Sequence, residues 1–233
     1  MPSIPPITRC PVCDATLGVG PRAAIDHGFV TCPCCSHQVR RLSVVPVADG
    51  VLRVRGVDRD PSVARCDRRM TTIQELGLRS GHVLELGCGT GRFLLVARAR
   101  GFEVAGIESD AARREAAREA TGLPIAKDST EVPGSQRFEL IACWGALALV
   151  RAPLELLSWC AERMRPGAFL ALSIPDPEQQ LEPGTLHRFT LASLSLCALR
   201  AGFEILEPAH HAGPLGRWWR SHRREPELYA RLR

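Results

Sequence analysis

The run Glu85-Leu-Gly-Cys-Gly-Thr-Gly91 restricts this chain more than any other feature. It follows a short apolar, β-like stretch and precedes a helical one. Glycines at alternate positions let the main chain turn sharply and pass close to a ligand. A strand feeding such a loop and then a helix opens a parallel α/β sheet, whose ligands bind beyond the C-terminal strand ends. Taken alone, the loop can also be read as a plain strand-to-helix turn. It fits a dinucleotide fingerprint poorly, because Arg92 stands where G-x-G-x-x-G/A needs a third small residue. The carboxylate of Glu85 suits a ligand carrying an ammonium or sulfonium centre better than a pyrophosphate.

The flanking sequence supports that architecture. Strand-like runs at His82–Leu86, Glu103–Ile107, 138–143, 168–174 and Phe203–Leu206 alternate with helical patterns at 92–100, 110–121, 153–164 and 191–201. Glycines 101, 122, 167 and 202 stand at or just past the helix ends. The expectation is a doubly wound α/β fold, a mostly parallel Rossmann-like sheet with helices on both faces. A further helix is expected over 68–76, with Met70, Ile73 and Leu76 on one face and Gly77 as its stop.

Glu108, after the second strand, is placed to accept both hydroxyls of a ribose, or to serve as a solvated acid at a helix N-terminus. Asp128, in Lys127-Asp-Ser129 after a short third strand, is placed to meet an adenine edge. Trp144 reads as a cofactor wall or as a core or gate residue. Cys143 reads as a small apolar filler, and Cys88 as a backbone contributor to the loop.

Cysteines are crowded at the N-terminus. Cys10-Pro-Val-Cys13 and Cys32-Pro-Cys34-Cys35 are separated by 18 residues. Two such knuckles complete a closed tetrahedral Cys₄ shell suited to structural Zn²⁺. A segment of about 40 residues cannot bury enough apolar surface to fold unaided, so a metal staple is physically sensible. The expected ligands are Cys10, Cys13, Cys32 and Cys35, with Cys34 or His37 able to replace Cys35. With strands at 28–31 and 38–45, residues 1–45 read as a small zinc ribbon, structural or partner-binding. Residues 46–65 read as a polar linker containing at most one strand, at 51–54.

Charge is a weak guide. The net charge is +5, but all 30 basic residues except Lys127 are arginine and asparagine is absent, a pattern that coding bias explains as well as a polyanionic partner does. The N-terminal residues carry neither the charged nor the apolar region of a secretory signal, and no apolar run has the ~20 residues of a membrane span. A cytoplasmic protein without a membrane partner is expected.

Taken together, Glu85–Gly91, Glu108, the segment 138–144 and Arg165-Pro-Gly167 make the chain resemble the class I S-adenosylmethionine-dependent methyltransferases over about residues 68–206. The resemblance implies that residues 66–233 form the methyltransferase domain. It also implies that Glu85, Gly87, Cys88, Gly89 and Gly91 cradle the methionine part, Glu108 the ribose and Asp128 the adenine, with Trp144 nearby.

A narrower likeness is to small bacterial enzymes related to ubiquinone-pathway O-methyltransferases and polysaccharide-cluster methyltransferases. Their His/Phe-Thr segment is nearly intact here as His187-Arg-Phe189-Thr190 with Ser193-Leu194. After Trp144, however, Gly145 replaces a histidine, and Ala148 and Leu149 replace a Glu-His pair. His187 is then the best remaining candidate for a catalytic base, or a structural histidine holding its loop. The loop 176–184 is expected to overlie the acceptor.

The implied activity is methyl transfer to a small-molecule acceptor of the natural-product or glycan-precursor class. Ribosomal RNA is the alternative acceptor, because some RNA guanine methyltransferases carry an N-terminal zinc ribbon and the Trp-Arg run 217–224 suits RNA. A non-catalytic cofactor-binding or interaction protein is the second alternative.

Overall fold

A computed structural model describes residues 8–18, 25–26, 28–40, 51–57, 61–175, 184–207 and 226–233. The run 217–224 and most of the loop 176–184 lie outside the described residues.

The main sheet is built as the apolar alternation requires. Its strands are β4 (His82–Leu86), β5 (Glu103–Ile107), β6 (Phe138–Trp144), β7 (Met164–Ser173), β9 (Phe203–Leu206) and β10 (Glu227–Leu232), in the order β5-β4-β6-β7-β10-β9. β4 pairs in parallel with β5 and β6, and β6 with β7, whereas β10 runs antiparallel to both β7 and β9. Sequence reading finds no convincing final strand after residue 206, yet β10 is that strand. The expected third strand after helix 110–121 amounts to a single parallel bridge, Ile107 to Ala126.

Helices cover both faces. α1 (Val63–Glu75) starts five residues before the expected position, because Ser62 caps it by accepting from the Arg65 amide. Its buried Cys66, Met70 and Ile73 join Phe93 and Ala97 of α2 (Arg92–Ala99) on one face of the sheet. α4 (Pro153–Arg163) and α5 (Leu191–Arg200) cover the other face through Leu156, Leu157, Leu194 and Cys197. α3 (Ala111–Thr121) flanks β5 and is capped by Asp110. Among the described residues, no helix is long and apolar enough to cross a membrane.

The cysteine-rich segment is no free appendage. Its strands β1 (Ile25–Asp26), β2 (Phe29–Thr31) and β3 (Gln38–Arg40) are joined by β8 (His187–Arg188), a strand 150 residues away, in the sheet β1-β2-β3-β8. Val12, Leu17 and Val39 share a core with α4 and α5, and Arg200 donates to the Val12 carbonyl at 2.6 Å.

Residues 51–57 form no ladder strand, but they are not a solvated linker either. Leu52, Val54 and Gly56 are buried, alternating with more exposed neighbours. The segment lies along the C-terminal edge of the main sheet, where Val54 accepts from the Ser109 amide at 3.0 Å.

Candidate functional site

The chain leaves β4, passes to β5 on one side, and returns to β6 on the other. This reversal marks the C-terminal end of β4 as the usual ligand position in such sheets. Glu85 ends there in register with Gly106 and Ala142, and is only 3% exposed.

The loop after β4 is tied to β5: the Gly87 and Cys88 amides both donate to the Ile107 carbonyl, at 2.8 and 3.0 Å. Gly91 then begins α2 at φ 80°, and a Cβ there would stand 2.7 Å from Thr121 Cγ2. Left-handed geometry and lack of space both require glycine at this position.

Glu108 is fully buried. Its Oε2 accepts from the amides of Gly89 and Gly56, each at 2.9 Å, and its Oε1 from the Asp110 amide at 3.0 Å. Burial pushes this carboxyl up, an effect partly offset by these amides and by Arg113. The structure therefore joins two of the expected cofactor residues, Gly89 and Glu108, by a direct hydrogen bond.

Asp128 turns its carboxylate onto its own chain. The Thr130 amide and hydroxyl donate to it at 3.0 and 2.5 Å. Burial pushes the group up, but these bonds, with Lys127 and Arg53, hold it below the ordinary value. Ser129 meets the 51–57 segment reciprocally: the Leu52 amide donates to Ser129 Oγ, and the Ser129 amide donates to the Leu52 carbonyl, both at 3.0 Å.

Burial, followed by the Glu85 charge, pushes Cys143 up to about 12 and raises Cys88 as well. Neither thiol is poised as a nucleophile.

Trp144 ends β6 beneath α1. Its ring packs edge-on to Phe93 at 5.2 Å and carries the Arg69 guanidinium 4.0 Å over its face. Arg69 is fully enclosed, donates to Glu227 Oε1 at 3.0 Å, and reaches Ser173 at 3.4 Å. Tyr229 donates to the other Glu227 oxygen at 2.9 Å. Sequence reasoning misses this group, since Glu227 and Tyr229 belong to the unrecognised β10. The chain's one tyrosine, in an alternating segment, was the available signal.

His187 stands apart from Glu85 and Glu108, in the seam between the two sheets. Its ring is fully buried, with Nδ1 3.0 Å from His37 Nε2, and the rings stack at 5.2 Å. Burial holds His187 down to about 4, partly offset by the backbone at Val150 and Arg151. A general base must reach the proton it removes, and Nδ1 of this buried ring is taken up by His37.

At the ribbon, the sulfurs of Cys10, Cys13, Cys32 and Cys35 all lie within 4.8 Å of one another. The pairs Cys10–Cys35 and Cys13–Cys32 are 3.6 and 3.5 Å apart, close to the ~3.8 Å edge that a tetrahedral Zn–S bond length of ~2.3 Å implies. The donor set fits a zinc ion. Cys34 is exposed, and His37 is turned to His187, so of the three candidates for fourth ligand only Cys35 sits in the cluster.

Comparisons with known proteins agree with this architecture. A ubiquinone biosynthesis O-methyltransferase from Coxiella burnetii is 28% identical over 107 residues, which cover 43% of this chain and 46% of that protein. The match thus spans about half the length of that curated relative. An S-adenosylmethionine-dependent methyltransferase structure from Mesorhizobium loti shares the fold at TM-score 0.56 and 19% identity, covering 73% of this chain and 100% of the other. The CcbJ methyltransferase from Streptomyces caelestis does so at TM-score 0.56 and 17% identity, covering 76% and 100%. A methyltransferase-domain family model matches residues 58–208, more than half of the chain. With that match laid over the strand, glycine loop and buried acid described above, the chain belongs to this methyltransferase-domain family.

Proposed function

We propose that the protein transfers a methyl group from S-adenosylmethionine to a small-molecule acceptor of the natural-product or glycan-precursor class. The observation that carries this reading is the bond from the Gly89 amide to Glu108 at the end of β4, which couples the glycine loop to the acid suited to a ribose. That the Coxiella burnetii relative is a ubiquinone biosynthesis O-methyltransferase supports a small acceptor.

In this reading Glu85 holds the cofactor's ammonium group, and the main chain from Gly87 to Gly91 follows its methionine part. Glu108 takes the ribose hydroxyls, and the Asp128–Ser129 turn borders the adenine. Bound S-adenosylmethionine supplies a methyl on positively charged sulfur, an electrophile that needs no further activation. The protein's contribution is then to hold the acceptor in line, which supplies much of the acceleration. Where relatives carry a Glu-His pair, Ala148 is buried and apolar, and Leu149 is its neighbour. No base is assigned there. We give His187 a positioning role, holding the ribbon against the strand that follows the acceptor loop.

Cys10, Cys13, Cys32 and Cys35 hold a structural zinc ion in this proposal. Zinc analysis should give about one ion per chain, lost in Cys35→Ser and retained in Cys34→Ser. Equal loss in both variants would overturn the ligand assignment.

The activity itself is tested by incubating the zinc-loaded protein with methyl-labelled cofactor and fractionated lysate. Label should enter the small-molecule fraction. Label confined to RNA would replace the acceptor class, and no label in any fraction would overturn the proposed activity.

A further inference from the structure

The glycine loop and Glu108 are covered by part of the chain itself. The Gly56 amide donates to Glu108 Oε2, the oxygen that also takes the Gly89 amide, and Glu108 has no exposed surface. A Cβ built on Gly56 would lie 2.7 Å from the Gly87 carbonyl oxygen, 2.9 Å from Glu108 Oε2 and 3.1 Å from the Gly89 nitrogen. Gly56 therefore occupies the volume directly against the three groups expected to meet ribose and methionine. Contacts continue on both sides. Val54 accepts from Ser109, Leu52 exchanges two hydrogen bonds with Ser129, and Val57 Cγ1 lies 2.9 Å from where a Gly145 Cβ would stand.

We infer that residues 52–57 form a self-inhibitory strap that occupies the ribose side of the cofactor cleft and must withdraw before the cofactor binds. The inference rests on the S-adenosylmethionine reading of the cleft. A ribose needs the Glu108 oxygens, and Glu108 cannot serve Gly56 and the ribose together while it is fully enclosed. The bonds from Ser109 to Val54 and from Ser129 to Leu52 are main-chain bonds of ordinary strength, and those from the Gly56 and Leu52 amides end on Glu108 and Ser129 side chains, so a ligand able to replace them can displace the strap. Apparent cofactor affinity is then the intrinsic affinity scaled by the fraction of molecules whose strap is open. An ordered segment in the cleft thereby sets the cofactor concentration at which the protein becomes competent.

Gly56→Ala tests this with a single methyl. Gly56 is not in the left-handed region, so alanine is conformationally allowed there, and its methyl meets main-chain atoms that cannot swing aside. Ser129→Ala removes the acceptor for the Leu52 amide by a second, independent route. The probe is S-adenosylhomocysteine, with affinity read by calorimetry. Strap exposure is read by limited trypsin digestion, with cuts after Arg53 and Arg55 located by mass spectrometry.

The expected result is about tenfold tighter binding in Gly56→Ala and a smaller gain in Ser129→Ala, with faster cutting at both arginines once the probe is added to the wild type. Protection of Arg53 and Arg55 by the probe, or weaker binding in both variants, would show that the strap closes over the ligand instead and would overturn the inference. If neither wild type nor variants bind the probe, the S-adenosylmethionine reading of the cleft fails, a result distinguishable from failure of the strap.

Discussion

Arg69 and Glu227 are joined at 3.0 Å with side chains only 2% and 7% exposed, the first on α1 and the second on the strand that completes the sheet. The bridge pins α1 to β10, with the Trp144 ring against the guanidinium. Removing one partner takes a buried counter-charge away from the other. Glu227→Gln or Arg69→Met should each cost about 3–5 kcal/mol in denaturant unfolding, and the double variant much less than the sum. Additive losses would show that the bridge is not the pin.

The fully buried His187 ring predicts a stability role. His187→Ala removes a buried ring and leaves His37 without its partner, which should cost about 2–4 kcal/mol. The pH profile of methyl transfer should keep its shape. A hundredfold loss of turnover with an unchanged melting temperature would instead make His187 a base.

Gly91 should tolerate no side chain. Gly91→Ala suffers both a left-handed φ and contact with Thr121 Cγ2, together costing about 1–3 kcal/mol. Adding Thr121→Ser removes the clashing methyl while keeping the hydroxyl that donates to the Ala117 carbonyl. The pair should recover only the steric part. Full recovery in thermal unfolding would mean that φ carries no cost here.

Glu139 predicts an acid response. Its carboxylate accepts from the His82 amide at 2.6 Å and from Arg165 at 2.5 Å. Burial pushes it up, but these partners hold it below its ordinary value of 4.5. A carboxyl lowered on folding stabilises fully above its ordinary value and loses that contribution as pH falls through the folded one. The stability gap between wild type and Glu139→Gln should shrink as pH drops below about 4.5, followed by urea unfolding at stepped pH. A constant gap would contradict the assignment.

The parallel half of the sheet was readable from the residues, because β4, β5 and β6 are short apolar runs that alternate with helices ending near glycines. β7 begins at Met164, ahead of the expected 168, because Phe138 still pairs with Met164 across a register shift that lies between Phe138 and Leu140. β10 was not legible because its pairing partners β7 and β9 are remote in sequence and its six residues follow a basic, aromatic run with no strand pattern. Residues 51–57 show the opposite failure. Asp49-Gly50 and Asp58-Arg-Asp-Pro61 on either side make the stretch read as a polar linker, although Leu52, Val54 and Gly56 carry a period-two pattern whose burial depends on a surface assembled from 87, 108 and 129. Single-sequence reading named Glu85 and Glu108, and it named Cys10, Cys13, Cys32 and Cys35, whose sulfurs the structure brings together. It could not see that the chain covers Glu108 itself.

The pairing of β3 with β8 bears on how this protein can be cut. Dividing the chain near residue 45, as its composition invites, would strip His187–Arg188 of its neighbour and bare the apolar surface of α4 and α5 where Val12 and Leu17 rest. Such a fragment would expose a raw backbone edge beside a greasy patch, a combination that invites self-association. The cysteine-rich segment and the sheet it docks against are better kept together as one folding unit.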